Sequence, residues 1–454
     1  MSKKTRNIIR ELQEENERLK EENAYLKFEL QELKGRLYKR KTKKKNPPPP
    51  SSGTTPLKKK GGLFGHIGWF RKKPRKIDRI EEVRLDKCPE CGSTDINECK
   101  DTHDHTQQDI ILPKLETVLY KKHRYYCRRC KRAVSGLGKN ELPKSYIGPK
   151  AKTFAAFLKY VVKISERDIK NIFAKAFDLK ISPSTITGFR AKLGREAYCI
   201  YERLLEKLKK GKFIHIDETG WKVDGRNYWL WKLSNKRISV THIDKSRGRK
   251  VVDEILGTDY KGVLISDFLA VYNKVTSKAK QRCLVHILRD LRRVIEYWSD
   301  DEEVLRYCKR LKKIFEDAIG LYKQYTGKRW NSKYYSRRRA VARALQDFDF
   351  PNPGKRILER FAKRLQKHKD ELFTFLYEKG IDFHNNHAEQ QIRPDVIFRK
   401  ITFGNRSMKG AQNHNVLMSI LQTAKLNNID PIKTLEKILL PTGQNPFPRL
   451  LAPP

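Results

Sequence analysis

Hydrophobic positions change rhythm several times along this chain. Over residues 8–37, Leu12, Leu19, Leu26 and Leu33 recur every seven residues, with Ile9, Asn16, Asn23, Leu30 and Leu37 at the matching a positions. A lone helix cannot bury such a seam, so the spacing predicts a coiled coil, and its two asparagines favour an in-register pair. A solvated charged helix is the plain alternative, because the window is also rich in Glu and Lys. The rhythm then stops. KRKTKKKNPPPPSSGTTPLKKKGG has a proline run, dense positive charge and no apolar period. It predicts an extended linker, either a spacer or a strip that lies along phosphates.

Short β-prone stretches follow, ETVLYKKHRYYC among them, and residues 148–205 read as helices broken by turns. SERDIKNIFAKAF is amphipathic, and SPSTITGFRAKLG opens with helix-capping serines at Ser182 and Ser184. The pair fits a helix-turn-helix whose second helix carries Thr185, Thr187, Arg190 and Lys192, or a plain packing unit. After Lys212 the period shortens towards that of strands. KFIHIDET predicts a strand ending in an acidic pair. NYWLWKLSN and RISVTHIDK predict two more strands, RKVVDEIL a helix, and GVLISDFLAVY a buried strand ending at Asp267. Three strands, a helix and a fourth strand are the opening order of a ribonuclease H-like sheet. QRCLVHILRDLRRVIEYW begins as a strand and becomes helical. Residues 290–375 are charged and helical, with little β signal. FHNNHAEQQIRP reads as a capped turn leading into a helix, and HNVLMSILQTAKLNN as another helix.

The expected fold is therefore multidomain α/β, a ribonuclease H-like catalytic core with a helical insertion. The expected order is a coiled-coil helix at 1–38, a basic linker at 39–80, a zinc-binding module at 81–135 and a helical DNA-binding segment at 136–208. The catalytic domain follows at 209–430, with its insertion at about 290–375, and then a tail at 431–454.

Charge narrows the function. Lys and Arg number 100 against 53 Asp and Glu, a net +47 over 454 residues. Such an excess repels itself unless a polyanion offsets it, which points to nucleic acid or an anionic membrane surface. No stretch approaches the roughly 18–20 apolar residues of a membrane span, and MSKKTRNIIRELQEEN has no signal-peptide core. The expectation is a soluble, intracellular protein that binds nucleic acid. Six Trp and nineteen Tyr at this length are unlike ribosomal or chromatin-like basic proteins.

Four of the eight cysteines form two Cys-x-x-Cys pairs, Cys88 with Cys91 and Cys127 with Cys130. Each pair sets two thiolates on a tight turn, and two such turns complete a tetrahedral Zn²⁺ site in a reducing compartment. Redox chemistry or chance pairing is the alternative, and Cys99, His103, His105 and His123 are bystanders. Lys121, Lys122, Arg124, Arg128, Arg129, Lys131 and Arg132 surround the second pair and suit phosphate contact.

Asp217 and Asp267 each follow an apolar strand segment. Adjacent strands would hold their carboxylates close together, which is costly without a cation. Hard oxygen ligands suit Mg²⁺ or Mn²⁺, and paired ions serve phosphodiester chemistry. Glu389, which the capped turn FHNNHAEQQ presents on a helix, is the candidate third ligand. Singly, each carboxylate could be a turn residue, a cap or a surface charge.

HIDETGW, ISDFLAVY, CLVH, FHNNHAEQQIRPDVIFRKITFGN and ILQTAKLNNIDP together resemble the successive motifs of the transposase family named after insertion sequence 66. The resemblance covers most of residues 85–435 and is most specific around Glu389. It implies an Asp-Asp-Glu enzyme with Asp217, Asp267 and Glu389 as successive metal ligands, with the same order of modules read above. It also implies a cytoplasmic, nucleoid-associated protein that binds double-stranded DNA at element ends, cleaves it and transfers strands as a dimer, with accessory proteins of the same element. Arg393 of the IRP triplet, which ends in Pro394, lies four residues after Glu389 and would clamp phosphate or pair with Glu389. Cys283 and His286 resemble a Cys-x-x-His element that would brace the site, the alternative being an ordinary buried Cys and a surface His. The family usually carries Pro where this chain has His387, and often Arg where it has Gln390. Asp217 and Asp267 lie 50 residues apart, and Glu389 a further 122, so an insertion must intervene; its Trp298 and Trp330 suit core packing or base stacking. The alternatives are a nuclease with the same core that never joins strands, and a non-enzymatic zinc-containing DNA-binding regulator.

Overall fold

A computed structural model describes residues 13–20, 22, 115–120, 124–127, 132–135, 141–142, 145–349 and 356–439. One compact unit comprises Met1–Tyr25 with Lys114–Pro454, and Leu26–Pro113 forms another that lies outside the described residues. Of the predicted coiled coil, residues 13–20 are helical, with exposed ion pairs between Arg18 and Glu15 and between Lys20 and Glu17. The rest of the heptad, the linker, Cys88, Cys91 and Cys130 lie outside the described residues. Cys127 ends strand β1 (Arg124–Cys127), which pairs antiparallel with β2 (Arg132–Ser135).

The helical segment contains α1 (Pro149–Phe157), a π turn (Leu158–Val162), α2 (Glu166–Ala176), α3 (Pro183–Glu196) and α4 (Tyr198–Lys209). Ser165 and Ser182 cap α2 and α3 by accepting the N–H groups of Asp168 and Thr185, as the sequence signals for α3 suggest. Arg190 is not a free base-reading side chain. Its guanidinium pairs with Glu166 at 2.9 Å and also reaches the Thr187 hydroxyl.

Five strands form the central sheet: β3 (Phe213–Val223), β4 (Arg226–Ser234), β5 (Ser239–Asp244), β6 (Tyr260–Ser266) and β7 (Ser277–Arg282). Their order is β5-β4-β3-β6-β7; β3, β4 and β5 are antiparallel neighbours, while β6 runs parallel to β3 and β7 to β6. Helix α5 (Arg249–Leu256) links β5 to β6. Strand β3 does not end at the acidic pair, as the hydropathy pattern suggested. It continues to Val223 and turns at Asp224 and Gly225, both at positive φ (51° and 71°). Asp-Gly is a strong two-residue hairpin signal, because that turn needs left-handed backbone.

The helical region expected as an insertion at about 290–375 contains most of α6 (Leu284–Tyr297), with α7 (Glu302–Tyr325), α8 (Ser332–Gln346) and α9 (Arg356–Lys367). Its buried Leu311, Phe315, Phe361 and Phe375 share one core with Val263 and Ile265 of the sheet. Trp298 packs at the edge of that core, and Trp330 stacks on Tyr334 at 4.6 Å, which favours the packing role for both.

The chain then returns through α10 (Asn386–Thr402), α11 (Met408–Leu426) and α12 (Pro431–Leu439). α11 is buried along most of its length and covers the sheet edge. Its Ser419 and Thr423 hydroxyls accept the Thr241 and Ser239 N–H groups of β5, which a bare edge would leave unpaired. Two expected boundaries shift. Residues 431–439 are no tail, since α12 buries Leu435 and Leu439 with Tyr160 and Leu193 of the helical segment. α4, expected with the preceding segment, buries Leu204 and Leu208 against Ile214 and Ile216 of β3. In both cases the apolar stripe of the helix, rather than its place in the chain, decides where it packs.

Candidate active site

The parallel pairing of β3 with β6 stops at His215 and Ile265. Beyond it β3 continues, paired with β4 alone, and β6 ends at Ser266. Asp217 and Asp267 lie at the same step past this last pair, where the two strands part. Asp217 is thus mid-strand on one side of β3 and at a strand end on the other. Its Oδ1 accepts the Glu218 N–H at 2.9 Å, and Asp267 Oδ1 accepts the Leu269 N–H at 2.9 Å. Burial, followed by the negative charges of Glu218, Asp267 and Glu389, pushes the Asp217 carboxyl up to about 8.

Strand alternation separates the acidic pair. Asp217 lies on the face of His215, Thr219 and Trp221, and Glu218 on the face of Ile214 and Ile216. There Glu218 is almost fully buried and already engaged: Arg247 pairs with it at 2.7 Å and Tyr272 donates to it at 2.5 Å. Arg247 also lies over the Trp229 ring. Asp217 is the carboxylate that remains available.

Helix α10 lies across the Asp217 face and is fastened to β3 at both ends. Asn385 stands at the N-cap position of α10 but makes no side-chain cap. Its Nδ2 donates to Ile216 O at 2.8 Å, its Oδ1 meets His215 Nδ1 at 3.1 Å, and its N–H donates to Cys283 Sγ at 3.2 Å. Beyond the helix, Asn405 N–H donates to Lys222 O, Asp224 N–H to Asn405 O, and Trp221 Nε1 to Asn405 Oδ1. Gly404, at φ 106°, allows this return, because a Cβ there would stand 2.2 Å from Lys222 O. Glu389 therefore sits in the first turn of a helix tied along β3. It is 43% exposed, and its Oε1 lies 3.9 Å from His286 Nε2.

The Cys-x-x-His element meets this turn. Buried Cys283 donates its N–H to Ser266 O and receives that of Asn385, joining the end of β6 to the start of α10. Burial pushes its thiol up, so it stays protonated. His387 faces away from Glu389: its Nε2 lies 2.8 Å from Asn235 O and its ring packs on His215 at 5.1 Å. Burial lowers His215 to about 4, leaving it neutral.

Three further groups escaped the sequence reading. Arg282, fully buried, donates to Asp267 O at 2.8 Å, Ser266 Oγ at 3.1 Å, Asn273 Oδ1 at 2.8 Å and Glu371 Oε2 at 2.6 Å, holding the loop that carries Asp267. Arg399, two turns beyond Arg393 on α10, reaches Thr219 Oγ1 at 3.2 Å. Lys232, Asp395 and His414 form a fully buried triad: Lys232 Nζ lies 2.8 Å from Asp395 Oδ2, and His414 Nε2 lies 2.9 Å from Oδ1. Burial works against the Asp395 charge, but Lys232 and His414 override it and hold the carboxyl below its usual range. Long-range partners of this kind leave no local pattern in a sequence.

A family profile described as Transposase IS66 family matches residues 144–413. The chain belongs to that family. An uncharacterized protein, y4qI, of Sinorhizobium fredii (strain NBRC 101917 / NGR234) is 22% identical over 418 residues, covering 82% of this chain and 75% of its own.

The IS66-family match runs from the helical segment into α11, so both the sheet and the insertion fall within it. Asp217, Asp267 and Glu389 are brought into one electrostatic neighbourhood. Among the described residues, however, no three His, Cys, Asp or Glu side chains form a ready-made metal cluster. Glu389 is turned partly to solvent and towards His286. Arg393 is exposed and makes no pair with Glu389 or any other described residue, so the surface-pair alternative is not realised. Among the described residues, no helix is long and apolar enough to cross a membrane.

Proposed function

We propose that this IS66-family protein is a DNA transposase with a ribonuclease H-like core. In that core Asp217, Asp267 and Glu389 hold divalent Mg²⁺ or Mn²⁺. The sheet order, three antiparallel strands followed by two parallel ones, supports the core. The observation that carries the site is the Asp217 carboxyl, raised to about 8 among acidic neighbours. Among the described residues, Asp217 and Asp267 have backbone donors only, and Glu389 has one distant imidazole. Oxygen ligands with uncompensated negative charge fit a hard divalent cation. Such ions, when bound, ease deprotonation of the attacking hydroxyl and offset charge on the leaving oxygen.

The chain's own residues supply position. Arg282 and Cys283 set the Asp267 loop, Asn385 and Asn405 seat α10, and exposed Arg393 meets phosphate. In cleavage, water attacks phosphorus at the element end and the 3′ oxygen leaves with a proton. That 3′-hydroxyl then attacks a target phosphodiester, whose own 3′ oxygen leaves. Cys88, Cys91, Cys127 and Cys130 hold structural Zn²⁺, the heptad pairs two copies, and the zinc module, linker and α2–α3 unit contact double-stranded DNA. Accessory proteins of the same element join this assembly.

The test is cleavage and joining of labelled element-end DNA in Mg²⁺ or Mn²⁺, comparing wild type with Asp217→Asn and Glu389→Gln. Nicked and joined products, lost in both variants while DNA binding persists, are expected. Nicking without joining would reassign the protein as a nuclease, and tight binding without cleavage as a DNA-binding regulator.

A further inference from the structure

Within the insertion, two neighbouring helices treat their charges differently. In α7, Lys312 pairs with Glu316 and Lys313 with Asp317, each one turn on. α8 has no such lacing. Its fifteen residues include Lys333, Arg337, Arg338, Arg339 and Arg343 and no acid. Only Tyr334 and Leu345 are buried, so the helix is anchored by a narrow stripe. Lys333, Arg337, Arg339 and Arg343 are exposed, and none forms an ion pair among the described residues. Arg337 reaches only the neutral Gln324 side chain. Lys328 and Arg329, just before the helix, are exposed as well.

Like charges one turn apart, at Lys333 and Arg337 and again at Arg339 and Arg343, repel each other. A polyanion lying along the helix would relieve that repulsion. The aromatic rings nearby are already occupied. Trp330 stacks on Tyr334, while Arg338 lies over Tyr377 at 4.3 Å and Tyr335 at 5.2 Å. Their engagement disfavours a base-stacking platform of the kind that single strands use. What remains is two short rows of cations, Lys333 with Arg337 and Arg339 with Arg343, on different flanks of the exposed face and together spanning about 15 Å of the helix axis at 1.5 Å per residue. Such rows suit phosphates, which position a duplex without reading its sequence.

We propose that the solvent face of α8 is a contact for the phosphate backbone of duplex DNA, an inference that rests on the transposase reading. The test uses the full chain and a short labelled duplex of arbitrary sequence, with affinity measured by fluorescence anisotropy across a salt series. Arg337→Gln/Arg339→Gln/Arg343→Gln is compared with a charge-matched control, Lys250→Gln/Lys312→Gln/Lys313→Gln, whose lysines are ion-paired. The arginine variant is expected to lower the log–log salt slope by about 2–3, at roughly 0.9 per lost phosphate contact, and to weaken binding on the order of tenfold. The control keeps the wild-type slope. So does Arg337→Lys/Arg339→Lys/Arg343→Lys, which retains the charges and excludes misfolding as the cause.

A glutamine variant with the control's slope overturns the proposal. So does a loss confined to single-stranded RNA with duplex binding intact. If wild type binds and cleaves element ends while the glutamine variant keeps its slope, this contact fails and the transposase reading stands. If wild type binds no duplex at all, both fail.

Discussion

Asp395→Asn is expected to cost this protein about 3–5 kcal/mol, because it breaks a buried ion pair and strands the remaining charge. Lys232 and Asp395 are both fully buried at 2.8 Å. With the carboxylate gone, the Lys232 ammonium keeps only the Thr241 hydroxyl among its present partners. The Tm should fall on the order of 10 °C, at a few degrees per kcal/mol for a core of this size. The triple replacement Lys232→Met/Asp395→Leu/His414→Phe removes every polar member together and should return to within about 1 kcal/mol of wild type. Urea denaturation followed by far-UV circular dichroism reads both variants, beside thermal melts. A single substitution costing under about 1 kcal/mol, or a triple as unstable as the single, would refute the account of this triad as a matched buried set. Since the triad ties α10 to β4 and α11, the stable triple should also keep Glu389 seated and cleavage intact.

Other outcomes follow from the site. Asp217 binds its proton more tightly folded than unfolded, with the folded value about 8 against an ordinary 3.8. Metal-free stability should therefore fall as pH rises from about 4 to about 8 and then level off. Asp217→Asn should flatten that dependence and raise the metal-free Tm at pH 8, and Mn²⁺ should raise the Tm of wild type but not of the variant. A melt series over pH, with and without Mn²⁺, checks this, and a wild type indifferent to both pH and metal would contradict it. Asn385→Ala removes the side-chain bonds to Ile216 and His215 at the head of α10. It should cost about 1–3 kcal/mol by leaving buried partners unpaired. It should lower the cleavage rate far more than duplex affinity, and equal losses in a side-by-side rate and binding measurement would show that Asn385 does not position Glu389.

The sequence by itself determined what short-range pattern can carry. Alternating and helical periods placed β4, β5, α5 and β6, serine caps marked the start of α3, and the motifs from HIDETGW to ILQTAKLNN pointed to the family that the profile match establishes. Even the error at β3 had a local remedy, since Asp224-Gly225 announced the hairpin that the acidic pair obscured.

Tertiary structure alone decided which carboxylate is available. Asp217 and Glu218 are adjacent in the chain, but pleating sends them to opposite faces, where Arg247 and Tyr272 engage Glu218. It likewise made Asn385 a tie to β3, engaged Arg190 with Glu166, and set α12 into a core rather than a tail. Buried charge, as in Arg282 or the Lys232–Asp395–His414 triad, is stable only through partners from distant segments. No periodicity in one chain encodes that pairing. It exists only once the sheet has brought those segments together.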